Sequence, residues 1–144
     1  AMPSGNSAAG LVLSRLARLT GAARWRTAAE LQLAYLAGAA RDYPAGHGFA
    51  MLAFLEALWP SAQLVCASGT VPEELSAFLR EASRPELTVL VKTPETAGAL
   101  EKLAPFTEAY PIPETGARYY LCQNSVCTQP ASDLSEIRRR LEQG

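Results

Sequence analysis

The sequence predicts an α/β protein with an all-α N-terminal part, and three observations carry that expectation. Up to Trp59 the apolar residues recur only at helical spacing. After Pro60-Ser61 the pattern changes to short, continuous apolar runs, Leu64-Val65-Cys66-Ala67 and Leu87-Thr88-Val89-Leu90-Val91, separated by capped amphipathic stretches. The element order is then α-α-α-β-α-β-α-β-β-α, which predicts a small, three-layered, mostly parallel sheet ending in a β-hairpin and a helix. The boundary divides the chain into a helical part, 1–60, and an α/β unit, 61–144.

Each element has its own signal. Ser4, Asn6 and Ser7 are all good N-cap residues, and Ala8, Leu11, Val12, Leu16 and Leu19 follow at helical spacing. Gly21 is placed to end that helix in a left-handed turn. A second helix, from about Arg24 to Ala40, carries Trp25, Ala29, Leu33, Leu36 and Ala40 on one stripe before Pro44, Gly46 and Gly48 interrupt. The third, from about His47 to Trp59, has Glu56 as its only charge and reads as an inner helix covered all round.

Thr70-Val71-Pro72-Glu73 has capping-box spacing and opens a helix whose inward stripe is Leu75, Phe78, Leu79 and Ala82. Thr93-Pro94 opens another, with Ala97, Leu100 and Leu103 inward. Pro105, Pro111 and Pro113 make the next stretch irregular. A third strand spans Ala117 to Cys122, Asn124-Ser125 makes a two-residue turn, and Val126-Cys127-Thr128 returns antiparallel. Ser132 or Asp133 caps a last helix bearing Leu134, Ile137 and Leu141.

Composition narrows function. Hydrophobic residues make up 49% of the 144 and charged residues 19%, an apolar excess that fits helices awaiting neighbours. Self-association through those helices is therefore expected. A net charge of −1 and pI near 5.9 argue against nucleic-acid binding. Arg138-Arg139-Arg140 reads as a solvated helix end. No apolar run reaches the roughly 18 residues that span a bilayer, so no membrane partner is expected. Without a signal-peptide charge pattern, and with an odd count of three cysteines, a reducing cytoplasm is the expected compartment. No G-x-G-x-x-G, P-loop, C-x-x-C, G-x-S-x-G or H-E-x-x-H occurs, and no cofactor is implied.

Two constellations remain. If the first and third helices are inner helices of a toroid of hairpins, their N-termini open at one mouth. Ser4, Asn6, Ser7 and His47 then form a candidate ligand-binding mouth for an anionic or hydroxyl-rich ligand. Acid–base catalysis would need a carboxylate or second base nearby, and neither loop supplies one. The second constellation is Cys122 and Cys127. With Asn124-Ser125 as the turn they oppose each other as a non-hydrogen-bonded pair, Cα atoms about 4.5 Å apart. Packed free thiols, a strained and reducible disulfide, and a metal site completed by Cys66 and His47 are the alternatives, although nothing in the sequence brings those two ligands close.

Met2-Pro3-Ser4-Gly5-Asn6-Ser7 with Leu16-Ala17-Arg18-Leu19-Thr20-Gly21 resembles the last helical hairpins of a family of thioredoxin-domain-containing proteins, the spermatogenesis-associated thioredoxin-like group and its bacterial relatives. Tyr119-Tyr120-Leu121-Cys122-Gln123-Asn124-Ser125-Val126-Cys127-Thr128-Gln129-Pro130 resembles that family's C-terminal Tyr-x-x-Cys-x4-Cys-x-x-Pro pattern. The resemblance implies an N-terminal thioredoxin-like domain, then an (α/α)6 toroid similar to six-hairpin glycosidases, of which this chain holds the last helices. An Ala1-Met2 start suits a cloning remnant, and the chain is expected to be a non-catalytic C-terminal piece bracing the toroid. Its partner would be the remainder of its own polypeptide. The resemblance also implies two alternatives: part of a carbohydrate-processing or carbohydrate-binding site, or a thiol–disulfide partner through Cys122 and Cys127.

Overall fold

A computed structural model describes residues 4–59, 62–82, 84, 86–123 and 126–143, and the chain divides into two compact units, Ala1–Trp59 and Pro60–Gly144. The change of pattern at Pro60-Ser61 and the Asn124-Ser125 turn lie outside the described residues.

The first unit holds α1 (Gly5–Thr20), α2 (Ala23–Ala40), a 3-10 turn at Pro44–His47 and α3 (Gly48–Leu58). Ser4 caps α1 by accepting the Ser7 N–H at 3.1 Å. Gly21, at φ 66°, ends it in the left-handed region, donating its N–H to Ala17 O. The buried line of α1 differs from the expected Ala8, Leu11, Val12, Leu16 and Leu19: it is Ser7, Gly10 and Ser14, and Val12 is exposed. Helices approach most closely where their side chains are smallest, and here they do so at Gly10. A Cβ on that residue would stand 2.8 Å from Leu36 Cδ1 of α2 and 3.4 Å from Ala53 Cβ of α3. Ser14 tolerates burial because its hydroxyl donates to Gly10 O at 2.8 Å.

Ala29, Leu36 and Ala40 line the buried face of α2, as the spacing of its stripe dictates, with Leu33 packed beside Leu36. On α3 only Ala50 and Ala53 are buried. Leu52, Leu55, Leu58 and Trp59 are exposed, the last two at 83% and 60%, so the expected coverage all round is not found within this chain. The physical reason is that α3 presents its small-residue face to α1 and α2 and has no other element of its unit beyond it. Its one charge is nevertheless covered. The Glu56 carboxylate pairs with Arg18 at 2.7 Å and Arg15 at 3.3 Å, and Arg18 also donates to the Glu56 carbonyl. These contacts tie α1 to α3 across the edge of the apolar seam.

The second unit holds β1 (Ala62–Ser68), α4 (Glu73–Ala82), β2 (Leu87–Lys92), α5 (Ala97–Leu103), a 3-10 turn at Pro105–Ala109, β3 (Ala117–Gln123), β4 (Val126–Cys127) and α6 (Leu134–Gln143). The strand order is β2-β1-β3-β4. The mostly parallel sheet expected is instead mixed: β1 and β2 are parallel, but β3 is antiparallel to β1 and β4 to β3. A helical crossover through α4 keeps β1 and β2 parallel. The proline-rich return after α5, with Gly116 at φ 73°, instead delivers β3 to the other edge of β1 in the reverse direction.

Central β1 is buried from Leu64 to Ser68. One face sets Ala62, Leu64, Cys66, Tyr119 and Leu121 against Leu75 and Phe78 of α4 and Leu134, Ile137 and Leu141 of α6. Leu79 and Leu103, expected inward, are exposed; the side chain of Ala82 lies outside the described residues. Leu79 sits one position past the buried Phe78, and α5, which carries Leu103, buries none of its residues. Asp133 starts α6, accepting the Ser135 N–H at 2.7 Å. Among the described residues no helix is long and apolar enough to cross a membrane.

The Gly10 contact generates a paired prediction. Gly10→Val should lower stability by about 1–3 kcal/mol through overpacking against Leu36 and Ala53. Gly38→Ala, on α2 with nothing within 4 Å of an added Cβ, should raise it by about 0.5–1 kcal/mol. Thermal unfolding midpoints of the two variants check both signs; equal destabilisation would remove Gly10 as the contact point.

Candidate functional site

The hairpin that closes the sheet brings two cysteines together. Gln123 pairs with Val126 and Cys122 with Cys127, while the Thr128 N–H bonds Leu121 O at 2.9 Å. The cysteines therefore occupy the non-hydrogen-bonded position between two hydrogen-bonded pairs, where side chains come closest. They are joined as a disulfide, with S–S 2.07 Å and Cα atoms 3.9 Å apart. The two sulfur-bearing residues differ in access: Cys122 is buried, at 7%, and Cys127 is exposed.

Next to the sulfurs lies a group the sequence did not single out. The Tyr110 hydroxyl stands 3.3 Å from Cys122 Sγ and 3.1 Å from Cys127 Sγ. Disulfide sulfurs carry no hydrogen, so the hydroxyl is the donor to both. Its ring stacks on Tyr120 with centroids 4.4 Å apart. Its carbonyl accepts from Lys92 Nζ at 3.0 Å, and Lys92 also donates to Thr107 O and pairs with Glu101, each at 2.7 Å. Burial first, then the neighbouring Tyr120, pushes the Tyr110 hydroxyl above its ordinary value of 10.0. It keeps its proton through neutral pH. The only hint in the sequence was an aromatic residue beside Pro111, ahead of the third strand.

On the returning chain, Arg140 donates to Thr128 Oγ1 and Gln129 O, both at 2.6 Å, and pairs with Glu136 at 2.5 Å; Arg138 pairs with Glu81 at 2.7 Å. Arg138 and Arg139 are exposed, as expected of a solvated helix end, and Arg138 reaches Glu81 of α4 from there; the half-buried Arg140 departs from that expectation by anchoring the hairpin. A helix that packs on the sheet brings its last turn within reach of the Thr128 hydroxyl and the Gln129 carbonyl.

Cys66 is chemically different. It is fully buried in β1, with its sulfur 3.7 Å from Ser68 Oγ, and burial is the main cause raising its thiol above 9.0. Tyr119, also fully buried, donates to Glu74 Oε1 at 3.2 Å; burial, then Cys66 and Glu74, hold its hydroxyl far above 10.0. Both groups are held neutral. Among the described residues no cluster of three or more His, Cys, Asp or Glu side chains forms a metal site.

In the first unit, a cavity of about 560 Å³ is lined by Ser4, Asn6, Ser7, Tyr35, His47 and Phe49, among others, so the N-terminal ends of α1 and α3 meet there. Several of its polar groups already have partners. Ser4 Oγ and Ser7 Oγ are 2.8 Å apart, Gln32 Nε2 donates to Asn6 O at 3.0 Å, and His47 Nδ1 donates to Tyr43 O at 3.0 Å. A carbonyl only accepts, which assigns the proton of neutral His47 to Nδ1. Gly46 lets the Tyr43 ring lie over the turn, since a Cβ there would meet it at 2.5 Å. No carboxylate lines the cavity among the described residues, so the two-carboxylate arrangement of glycosidases is not assembled in this unit.

Comparison of the chain with protein-family models, curated proteins and solved structures returns no match, and the chemistry is read from the geometry itself.

Neutral burial of Tyr119 and Cys66 sets an alkaline limit. The unfolded chain releases these protons near pH 9 and 10 while the folded chain retains them. Their stabilisation is thus full below about pH 9 and is lost as pH rises above it. Tyr119→Phe should cost about 1 kcal/mol at pH 7 and lose stability less steeply above pH 10. Denaturant unfolding from pH 7 to 11 checks this; identical slopes would remove Tyr119 as the cause.

Proposed function

We propose that the second unit is a thiol–disulfide partner acting through Cys122 and Cys127. The observation that carries this reading is the cross-strand disulfide between a buried and an exposed cysteine residue. Exchange needs a thiolate to reach a disulfide sulfur, and Cys127 is open to one. A bond that closes a loop with sequence separation 5 contributes at most about 2 kcal/mol through chain entropy. The hairpin is held besides by its ladder and by Arg140, so stability is a weak reason for the bond. The resemblance to a thioredoxin-domain family would supply a dithiol on the same polypeptide as the reaction's partner.

Incubation in glutathione buffers of graded potential, followed by thiol labelling and mass measurement, tests the reading. A reversible two-electron transition confined to Cys122 and Cys127, with the far-ultraviolet circular dichroism unchanged, is the expected result. A bond reduced only after unfolding would make it a structural staple.

A second reading, in which the first unit braces a larger helical assembly, is favoured by the open side of α3. Leu52, Leu55, Leu58 and Trp59 leave large apolar side chains in water along one stretch of the helix and its end, the kind of surface that marks an interaction site. The occupant would be further helices of the same polypeptide, as the toroid resemblance implies. Leu58→Glu in a full-length protein should then lower its melting temperature and raise its protease sensitivity at α3. No change in either would leave that surface without a partner.

A further inference from the structure

We infer that Tyr110 is the hydrogen-bond donor to the departing sulfur, and that exchange at this site therefore runs in one order: the incoming thiolate bonds to Cys127 and Cys122 leaves. This rests on the thiol–disulfide reading and deepens it by assigning a role to each sulfur and to a third residue.

Access decides the first half. Thiol–disulfide exchange is an in-line displacement, so the attacked sulfur must be open on the side opposite its partner. Cys127 is exposed, while Cys122 sits in β3 at 7% exposure, with β1 beside it in the sheet. Attack at Cys127 makes Cys122 the leaving group by necessity.

Stabilisation of the leaving group decides the second half. Cys122 would depart as a thiolate within a largely buried site, where an uncompensated charge is strongly disfavoured. A donor is already present: the Tyr110 hydroxyl is 3.3 Å from Cys122 Sγ and 3.1 Å from Cys127 Sγ, so it reaches whichever sulfur departs without moving. Three contacts independent of the sulfurs hold it there: the stack on Tyr120, the Lys92 bond to its carbonyl, and its own N–H to Thr107 O at 3.1 Å. Breaking the S–S bond does not release the donor. The raised titration of Tyr110 agrees, because the hydroxyl stays protonated where thiolates form.

The steps balance with a dithiol as the reductant. One of its sulfurs, as thiolate, bonds to Cys127 Sγ while the Sγ–Sγ bond breaks and its electron pair leaves on Cys122. Its second sulfur, also as thiolate, then attacks the first, forming the reductant's own disulfide and releasing Cys127 as thiolate. The two protons given up by the dithiol end on Cys122 and Cys127 by way of solvent. Tyr110 donates a hydrogen bond throughout and keeps its proton.

Reduction of the intact chain by excess dithiothreitol, followed by stopped flow with wild type and Tyr110→Phe, tests the inference. Phenylalanine preserves the ring stack and removes only the donor. The variant should react at least about tenfold more slowly, the scale of one hydrogen bond to a charged group. In a Cys127→Ser background, adding Tyr110→Phe should raise the pH at which the ultraviolet thiolate absorbance of Cys122 titrates by about one unit. Glutathione, a monothiol, should form its mixed disulfide on Cys127 of the wild type. If wild type is reduced but Tyr110→Phe matches it in rate and titration, the role of Tyr110 falls while the redox reading stands. If wild type resists reduction until unfolded, the redox reading itself falls. Should Tyr110→Phe fold poorly, the wild-type adduct still decides the order, and glutathione on Cys122 overturns it.

Discussion

Lys92 ends β2 with its ammonium group sealed from water, and three acceptors drawn from α5 and the following irregular stretch meet it: Glu101, Thr107 O and Tyr110 O. An ammonium buried without such partners would be strongly disfavoured. The segment from Glu101 to Tyr110 thus has to stay closed over the end of β2. That segment is the end of α5 and a short 3-10 turn, whose backbone hydrogen bonds all run within a few residues and none of which reaches the sheet. The buried cation joins those local turns to the end of β2. Through the Tyr110 carbonyl it also places a hydroxyl beside the cysteine pair, linking the packing of the sheet to the chemistry at its edge.

Cysteines in one small unit are given opposite characters by position alone. Cys66 lies in the central strand, closed on both sides by neighbouring strands, and burial raises its thiol. It behaves as a small core residue. Cys122 and Cys127 lie where an edge hairpin meets solvent, one residue buried and one exposed. The contrast follows from strand order: β1 is central, whereas β4 has a neighbour on one side only.

The first unit is built on a different device. Its fully buried seam is made of Ser7, Gly10, Ser14, Ala50 and Ala53 around Leu36, so the backbones approach closely there, with the half-buried Leu11, Leu33, Met51 and Phe54 packed at its margins. Burying small residues leaves the larger ones elsewhere, and Leu52, Leu55, Leu58 and Trp59 face water. Close packing on one side and apolar exposure on the other have a single cause in the placement of small residues along α1 and α3.

By itself the sequence determined what depends on near neighbours. A capped start to α1 at one of Ser4, Asn6 or Ser7, the Gly21 stop, the stripe of α2, the strands β1 and β2, and the inward Leu134, Ile137 and Leu141 of α6 all follow from capping chemistry and periodicity within a few residues. The opposition of Cys122 to Cys127 belongs with them, because a short hairpin sets its own register. Tertiary structure decided which faces met. The direction of β3, the buried line of α1, the exposure of Leu79 and Leu103, the anchoring by Arg140 and the Lys92–Tyr110 contacts join residues far apart in the chain. Periodicity states that a face is apolar or a strand extended, but carries no record of the neighbour it meets. That choice is made by the shape and charge of the assembled elements.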